Sequence, residues 1–158
     1  MTEARDLSTM IGLAPLHAED LLAGDHLALG SIMPSHEEIL DFARRYDPLP
    51  IHTDIALATE SFGDLIAPAA LLMAWYSSLA SPGFVAHLAL VAGKGIDRLR
   101  IPKPARPGVR LDATITIDEI VLRDDRADVR STSTFVDAEG DVVMAFTSIQ
   151  VVRRRSRA

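Results

Sequence analysis

The sequence contains no cysteine, which excludes disulfide bonds, thiolate catalysis and cysteine-ligated zinc. It also lacks an apolar run that approaches the length expected of a membrane span. The first residues show neither the basic start nor the apolar block of a signal peptide. From these absences we expect a cytoplasmic protein that does not use a membrane as a partner.

Positive charge is not in excess either. The net charge is −6, which argues against nucleic acid as the main partner. Four of the histidines are scattered along the chain, namely His17, His26, His36 and His87. None has a second histidine four residues away on a helix, so we expect no metal site and no other cofactor.

The chain has 158 residues, of which 48% are hydrophobic, and this is enough for one domain with a substantial core. We expect a single domain over residues 1–158. Within it, residues 1–16 form a probable N-terminal arm, where Gly12 and Pro15 break any long element. Residues 153–158 form a basic tail, for which a solvated tail is the simplest interpretation.

The first half of the chain carries several helix signals. Residues 27–33 are a short apolar run that predicts a strand, and Ser35 and Glu38 have the spacing of a capping box at a helix start. Residues 54–61 predict a further short helix, for which Asp54 is the expected cap. Residues 65–79 are the most apolar part and predict a buried helix that ends at residues 81–83.

The second half predicts strands. Apolar and polar residues alternate from Val109 to Ile117, as in a sheet with one covered face. Further strands are expected over residues 127–136 and 142–152, joined by a hairpin loop at residues 137–141. One buried helix and an antiparallel sheet predict the α+β class.

Asp47 and His52 lie five positions apart, with Pro48 and Pro50 restricting the backbone between them. A carboxylate and an imidazole held close together can divide general acid and base duties. Taken alone, the pair is better explained by a turn at Asp47 and a structural histidine.

The surrounding sequence strengthens the catalytic interpretation. The segment Asp47-Pro48-Leu49-Pro50-Ile51-His52 follows the predicted helix over residues 35–45 and precedes Phe62-Gly63-Asp64-Leu65-Ile66-Ala67-Pro68-Ala69. Together these segments resemble the MaoC-like acyl dehydratases, or (R)-specific enoyl-CoA hydratases, which have a D–x–N–P–x–H motif before their central helix. The resemblance covers roughly residues 18–153. It implies a hotdog fold, in which the sheet curls around the central helix, and a homodimer or higher homo-oligomer with the acyl tunnel between subunits.

The resemblance implies a hydro-lyase of fatty acid metabolism that hydrates a 2-enoyl thioester or dehydrates a 3-hydroxyacyl thioester. The partner would be an acyl-CoA, or an acyl carrier protein thioester. Asp47 and His52 would hold one water and share the proton transfers, and the order of those transfers stays open. Ala69 matches the oxyanion donor by position, and Ser77 matches a polar position near the acyl group. A plain packing role is equally compatible with Ser77.

Lys103 and Arg106 lie in a further segment of the resemblance and are possible contacts for the coenzyme A phosphates, although ordinary strand-end charges explain them better. Two positions depart from the family pattern, since Leu49 replaces an asparagine and Ala69 replaces a glycine. These departures keep open a non-catalytic acyl-thioester binder or partner subunit. A hotdog thioesterase is the other alternative, but residues 67–80 lack the helix carboxylate that many such enzymes use.

Overall fold

The computed structural model describes residues 4–155. They form five antiparallel strands in the spatial order β1–β3–β4–β5–β2. The strands are β1 (His26–Ile32), β2 (Leu90–Arg100), β3 (Leu111–Leu122), β4 (Arg126–Val136) and β5 (Val142–Arg153). The helices are α1 (His36–Tyr46), α2 (Pro50–Thr53), α3 (Ile55–Phe62) and α4 (Ala69–Gly83), with short 3-10 turns at Leu7–Thr9, Ala18–Asp20 and Val85–His87.

The helices form where local signals predict them. Ser35 and Glu38 make the reciprocal capping box of α1, because the Glu38 N–H donates to the Ser35 hydroxyl and the Ser35 N–H donates to the Glu38 carboxylate. Asp54 caps α3 by accepting a hydrogen bond of 3.1 Å from the Leu57 N–H. These two caps fix both ends of the segment that contains Asp47 and His52.

Helix α4 lies against the sheet and supplies the centre of the core. Its buried face packs on inward side chains of β3, β4 and β5, and the buried members of α4 are Leu71, Leu72, Tyr76 and Ala80. The Tyr76 hydroxyl donates to the Thr114 carbonyl at 2.8 Å. Its ring meets Phe135 and Phe146 edge to face. One central helix on an antiparallel sheet confirms the α+β class.

The expectation that α4 is buried on nearly all sides is wrong. One face of small residues is exposed, namely Ala69, Ala70, Ala74, Ser77, Ser78 and Ser81. The helix begins at Ala69 instead of residue 65, and it ends at Gly83, within the predicted stop at residues 81–83. By length and composition alone, the segment Ala69–His87 is long and apolar enough to cross a membrane, so the expectation that no such run exists is corrected. Core helices of folded domains share this property, and α4 packs on the sheet.

Strand β2 was not predicted from the sequence. Among residues 4–155 its one partner strand is β5, and nearly every residue along it is exposed on both faces. The usual alternation of apolar and polar residues is absent from β2, because glycines occupy positions 93 and 95 and charged residues follow them. Arg98 has a φ of 55° beside an irregularity in the pairing with β5. The strand is therefore an open edge of the sheet.

Both ends of the described chain pack onto the domain. Leu7 and Leu16 of the N-terminal arm are buried in the core. Arg154 donates to Glu19 at 2.8 Å and Arg155 donates to Asp20 at 2.7 Å, so this part of the basic tail is held in ion pairs rather than solvated. Residues 1–3 of the arm and 156–158 of the tail lie outside the described residues.

Candidate active site

The turn between α1 and α2 brings Asp47 and His52 together. Asp47 ends α1, where its N–H donates to the Ala43 carbonyl at 2.9 Å, and its non-helical backbone, with φ −153° and ψ 70°, turns the chain away from the helix. Pro50 starts α2, and His52 follows within that single turn. The result is a separation of 3.6 Å between Oδ2 of Asp47 and Nε2 of His52.

A backbone carbonyl fixes the histidine. Nδ1 of His52 lies 2.6 Å from the carbonyl oxygen of Ile66. A carbonyl can only accept, so Nδ1 carries the proton of the neutral ring and Nε2 presents its lone pair toward Asp47. The His52 side chain is only 8% exposed, whereas that of Asp47 is 37% exposed. The site thus combines an immobilised imidazole with a carboxylate that meets solvent.

The spacing within the pair suits a bridging water. A separation of 3.6 Å exceeds an ordinary direct hydrogen bond between nitrogen and oxygen. One water molecule beside both atoms can donate to Oδ2 of Asp47 and to Nε2 of His52. The pair can therefore bind a water and accept its proton.

The same carbonyl ties the pair to the start of α4. Ile66 lies three residues before the helix, and its N–H donates to the Ile51 carbonyl at 3.3 Å. Next to it, the Ala67 N–H donates to the Ala105 carbonyl at 2.9 Å. These bonds place α2, the start of α4 and the loop after β2 at one end of the molecule.

The N-terminus of α4 offers donors at that end. Ala69 and Ala70 are exposed, and the first intrahelical bond runs from the Leu71 N–H to the Pro68 carbonyl at 3.0 Å. The N–H groups of the first turn have no partner within a helix, and the helix dipole favours negative charge there. Ala69 is thus placed to offer an N–H to an anionic oxygen.

Ser77 lines a cleft between α4 and the sheet. The cleft has a volume of about 520 Å³. Ser77 lies eight residues after Ala69, which is about 12 Å along the helix. Apolar side chains and a few polar ones form the remaining walls. On α4 the lining residues run from Met73 to Ser81, and Asp47, His52 and Ala69 are not among the residues that line the cleft.

The two candidate phosphate contacts differ. The ammonium of Lys103 is held by Asp137 and, at 2.9 Å, by Asp141. These carboxylates raise the pKa of Lys103, chiefly through the hydrogen bond to Asp137. The structural ion pair therefore explains Lys103 better than a phosphate contact does. Arg106 is exposed beside Gly63, in the loop that Ala67 joins to α4, and no carboxylate in residues 4–155 lies within ion-pair distance of it.

Leu49, where the family motif has asparagine, lies at the start of α2. Its side chain is 52% exposed and makes no capping hydrogen bond. The turn holds instead through its backbone, since the Leu49 N–H donates to the Asp47 carbonyl at 2.8 Å and the His52 N–H donates to the Leu49 carbonyl at 2.9 Å. The asparagine is thus not needed to bring Asp47 and His52 together.

Sequence analysis missed the polar residues on the sheet side of the cleft. They are Ser133 of β4 and Ser148 and Gln150 of β5. The alternation along β4 was the available signal, because Ser131 and Ser133 share the inward parity of Val129 and Phe135. The Ile66 carbonyl was also missed, since backbone contacts across the fold leave no mark in the sequence.

Comparison with solved structures identifies similar proteins. A MaoC-like dehydratase from Rhodospirillum rubrum is 32% identical, with a TM-score of 0.80, and the match covers 90% of this chain and 99% of that one. An (R)-hydratase from Pseudomonas aeruginosa is 21% identical, with a TM-score of 0.69, and the match covers 90% of this chain and 88% of that one. No protein-family model and no curated protein sequence matches significantly.

A third structure supports the fold. A conserved protein from Mycobacterium tuberculosis, described as having a double hotdog fold, is 12% identical with a TM-score of 0.74. The match covers 91% of this chain and 46% of that one. With the first comparison, it confirms the predicted hotdog fold.

Proposed function

Because this chain belongs to the MaoC-like dehydratases, we propose that it is a hydro-lyase that hydrates a 2-enoyl thioester or dehydrates the corresponding 3-hydroxyacyl thioester. Acyl-CoA is the proposed form of the substrate, with acyl carrier protein as the other carrier. The observation that carries the proposal is the orientation of His52. Its Nδ1 is committed to the Ile66 carbonyl, and its Nε2 lies 3.6 Å from Asp47.

In the proposed reaction, a water held by Asp47 and Nε2 of His52 attacks carbon 3 of the enoyl group. The new C–O bond forms as the carbon–carbon double bond opens, and the water proton passes to the pair. A proton then moves from the pair to carbon 2, so that the pair returns to its starting state. Nε2 of His52 is the proposed acceptor, because Nδ1 already carries a proton.

Negative charge develops on the thioester oxygen during this addition. The N–H of Ala69 and the dipole of α4 are the proposed stabilising groups. The position of Ala69 supports this assignment, since it begins α4 close to the segment that holds His52. Ser77 is the proposed polar contact to the acyl group, because it lines the cleft farther along the same helix.

We also propose that two copies associate through β2 and α4. Strand β2 leaves one edge without a partner strand in residues 4–155, and the apolar side chains of Val91 and Ile96 on it are exposed. The small residues on the exposed face of α4 would allow close approach of a second helix. We expect a dimer by light scattering at micromolar concentration, and a monomer would contradict this part of the proposal.

A second function, binding of an acyl thioester without catalysis, is favoured by one observation. Ala69 places a methyl group where the family has glycine, and this group can crowd a thioester. Both Asp47 and His52 are nevertheless present. A thioesterase is disfavoured because α4 (Ala69–Gly83) contains no carboxylate.

One assay separates these functions. Purified protein is incubated with crotonyl-CoA, and loss of the enoyl absorbance is followed in parallel with release of free thiol. We expect hydration without thiol release. Thiol release would identify a thioesterase, and binding of the thioester without either reaction would identify a binder.

A further inference from the structure

Two side chains outside the Asp47–His52 pair join helix α1 to the segment that holds the histidine. Nε2 of His36, the first residue of α1, lies 2.7 Å from Oδ1 of Asp64. The same oxygen accepts a hydrogen bond of 2.7 Å from the Leu65 N–H. An ionised carboxylate can only accept, so Nε2 of His36 carries a proton and donates it to Asp64. One carboxylate oxygen therefore connects α1 with the backbone at Leu65.

Asp64 lies two residues before Ile66, whose carbonyl oxygen fixes Nδ1 of His52. After this carbonyl, the chain is held by a bond of 2.9 Å from the Ala67 N–H to the loop between β2 and β3. Before it, the Ile66 N–H makes only a long bond of 3.3 Å to α2. The bond to Asp64 restrains that side as long as His36 anchors the carboxylate. Asp64 thus limits movement of the carbonyl that fixes His52.

Helix α1 carries the other member of the pair. His36 is its first residue and Asp47 ends it, so the 11 residues of the helix, about 16 Å in length, link the two positions. Ile39 and Ala43 are the buried residues of α1. The separation of 3.6 Å between Asp47 and His52 exceeds a direct hydrogen bond, so no such bond sets it. The placement of α1 on the domain sets this separation instead.

We propose that His36 and Asp64 are positioning residues for the Asp47–His52 pair. Together they hold the start of α1 against the segment before α4, so that Asp47 and the Ile66 carbonyl keep the geometry in which one water bridges the pair. Neither side chain takes part in the proton transfers. Both are partly exposed, at 48% and 29%, so their contact adds little to global stability. This inference rests on the proposed function for the reaction that the pair performs.

The kinetics of variants separate positioning from substrate binding. His36→Ala and Asp64→Ala should each lower kcat for crotonyl-CoA hydration by about three- to tenfold, because a small displacement of a catalytic group slows the reaction. KM should change by less than about twofold, since neither side chain is expected to contact the substrate.

Two further variants test whether the residues act together. The double variant His36→Ala with Asp64→Ala should be no more than about twofold slower than the slower single variant, because either change alone breaks the connection. Asp64→Asn keeps an oxygen that can accept both hydrogen bonds, so it should retain at least about half of the parent kcat.

A second measurement needs no substrate. The Nδ1 proton of His52 is hydrogen-bonded to the Ile66 carbonyl, and NMR of protein with isotopically labelled histidine follows its exchange with solvent. Loss of the resonance in His52→Ala assigns it. His36→Ala and Asp64→Ala should each speed this exchange by about threefold or more, because the carbonyl is less restrained. Tm should fall by no more than about 3 °C in either variant.

Asp125→Ala is the matched control. It removes an exposed carboxylate that pairs with Arg126 at 2.8 Å, in the turn between β3 and β4. The contact is a surface ion pair like that of His36 and Asp64, but it does not join α1 to the segment before α4. Both kcat and the exchange rate of the His52 proton should match those of the parent.

The outcomes separate this inference from the proposed function. If both alanine variants keep the parent kcat and exchange rate, the inference is overturned, and His36 and Asp64 form only a surface pair. A loss of kcat that follows a large fall of Tm, and that Asp64→Asn does not restore, would also overturn it. If the parent does not hydrate crotonyl-CoA, the proposed function fails and the exchange rates still decide the inference. Faster exchange in both variants then supports it, and unchanged exchange in either overturns it.

Discussion

The carbonyl of Ile66 accepts a hydrogen bond of 2.6 Å from Nδ1 of His52, across fourteen positions of the sequence. This bond sets the tautomer of the neutral imidazole, so the lone pair on Nε2 lies on the side of Asp47. It also joins the histidine to the segment that leads into α4. The proposed proton-transfer pair and the proposed oxyanion site are therefore joined by one backbone connection.

The methyl group of Ala69 should limit the rate. We predict that Ala69→Gly raises kcat/KM for crotonyl-CoA by about three- to tenfold, because glycine allows closer approach of the thioester oxygen. The same change should lower the free energy of unfolding by about 0.5–1 kcal/mol. Ala70→Gly is the control, since it has the same helix cost and should give no gain. Equal gains in both variants would contradict the role of Ala69.

Arg106 and Lys103 should have separate effects. Arg106→Ala is expected to raise KM for crotonyl-CoA by about three- to tenfold at low salt, and to leave KM for crotonyl-pantetheine unchanged, because only coenzyme A carries the phosphates. Lys103→Ala should lower Tm without changing either KM, since it leaves the buried carboxylate of Asp137 without its cation. Arg110→Ala, which removes an arginine paired with Asp112, is the control. An unchanged KM in Arg106→Ala would remove Arg106 from the site.

Asp54 should contribute to stability alone. Asp54→Ala removes the cap that accepts the Leu57 N–H and should lower the free energy of unfolding by about 1 kcal/mol in denaturant titration. Asp54→Asn keeps a capping side chain and should be nearly neutral. Both variants should retain full hydration activity. Loss of activity in Asp54→Asn would show that this carboxylate takes part in the chemistry.

Pairing of the C-terminal tail should depend on pH. The hydrogen bond from Arg154, aided by the Arg155 N–H, lowers the pKa of Glu19 to about 2 from an ordinary value of 4.5. A lowered folded-state pKa gives stability above the unfolded pKa that is lost as pH falls from about 4.5 toward 2. Glu19→Gln should therefore lower Tm at pH 7, and the difference should shrink below about pH 4.5. Glu139→Gln, at an exposed position, should show no such difference.

Local chemistry explains which parts of the fold were predictable. Ser35, Glu38 and Asp54 each accept a hydrogen bond from an N–H group three residues away, so their roles follow from spacing. The alternation that predicted β3 also follows from one covered face. Asp47 and His52 are only five positions apart and are brought together by one local turn. This short separation made the pair recognisable from the sequence.

Contacts between distant segments were not predictable in the same way. Lys103 meets Asp137 across 34 positions, and nothing near Lys103 in the sequence indicates that partner. Strand β2 is exposed on both faces, so it lacks the periodic pattern by which a strand is recognised. Likewise, the small residues of α4 are compatible with a helix face packed against other backbone or with a face exposed to solvent. Only the tertiary structure distinguishes these two arrangements.

The most direct test of the central claim is the rate of crotonyl-CoA hydration by Asp47→Asn, His52→Ala and the double variant. General acid–base groups contribute about 10²- to 10⁴-fold, so each single change should lower kcat by that order while Tm changes little. Because both groups act on one water, the double variant should be scarcely slower than the slower single variant. Full activity in His52→Ala would contradict the account.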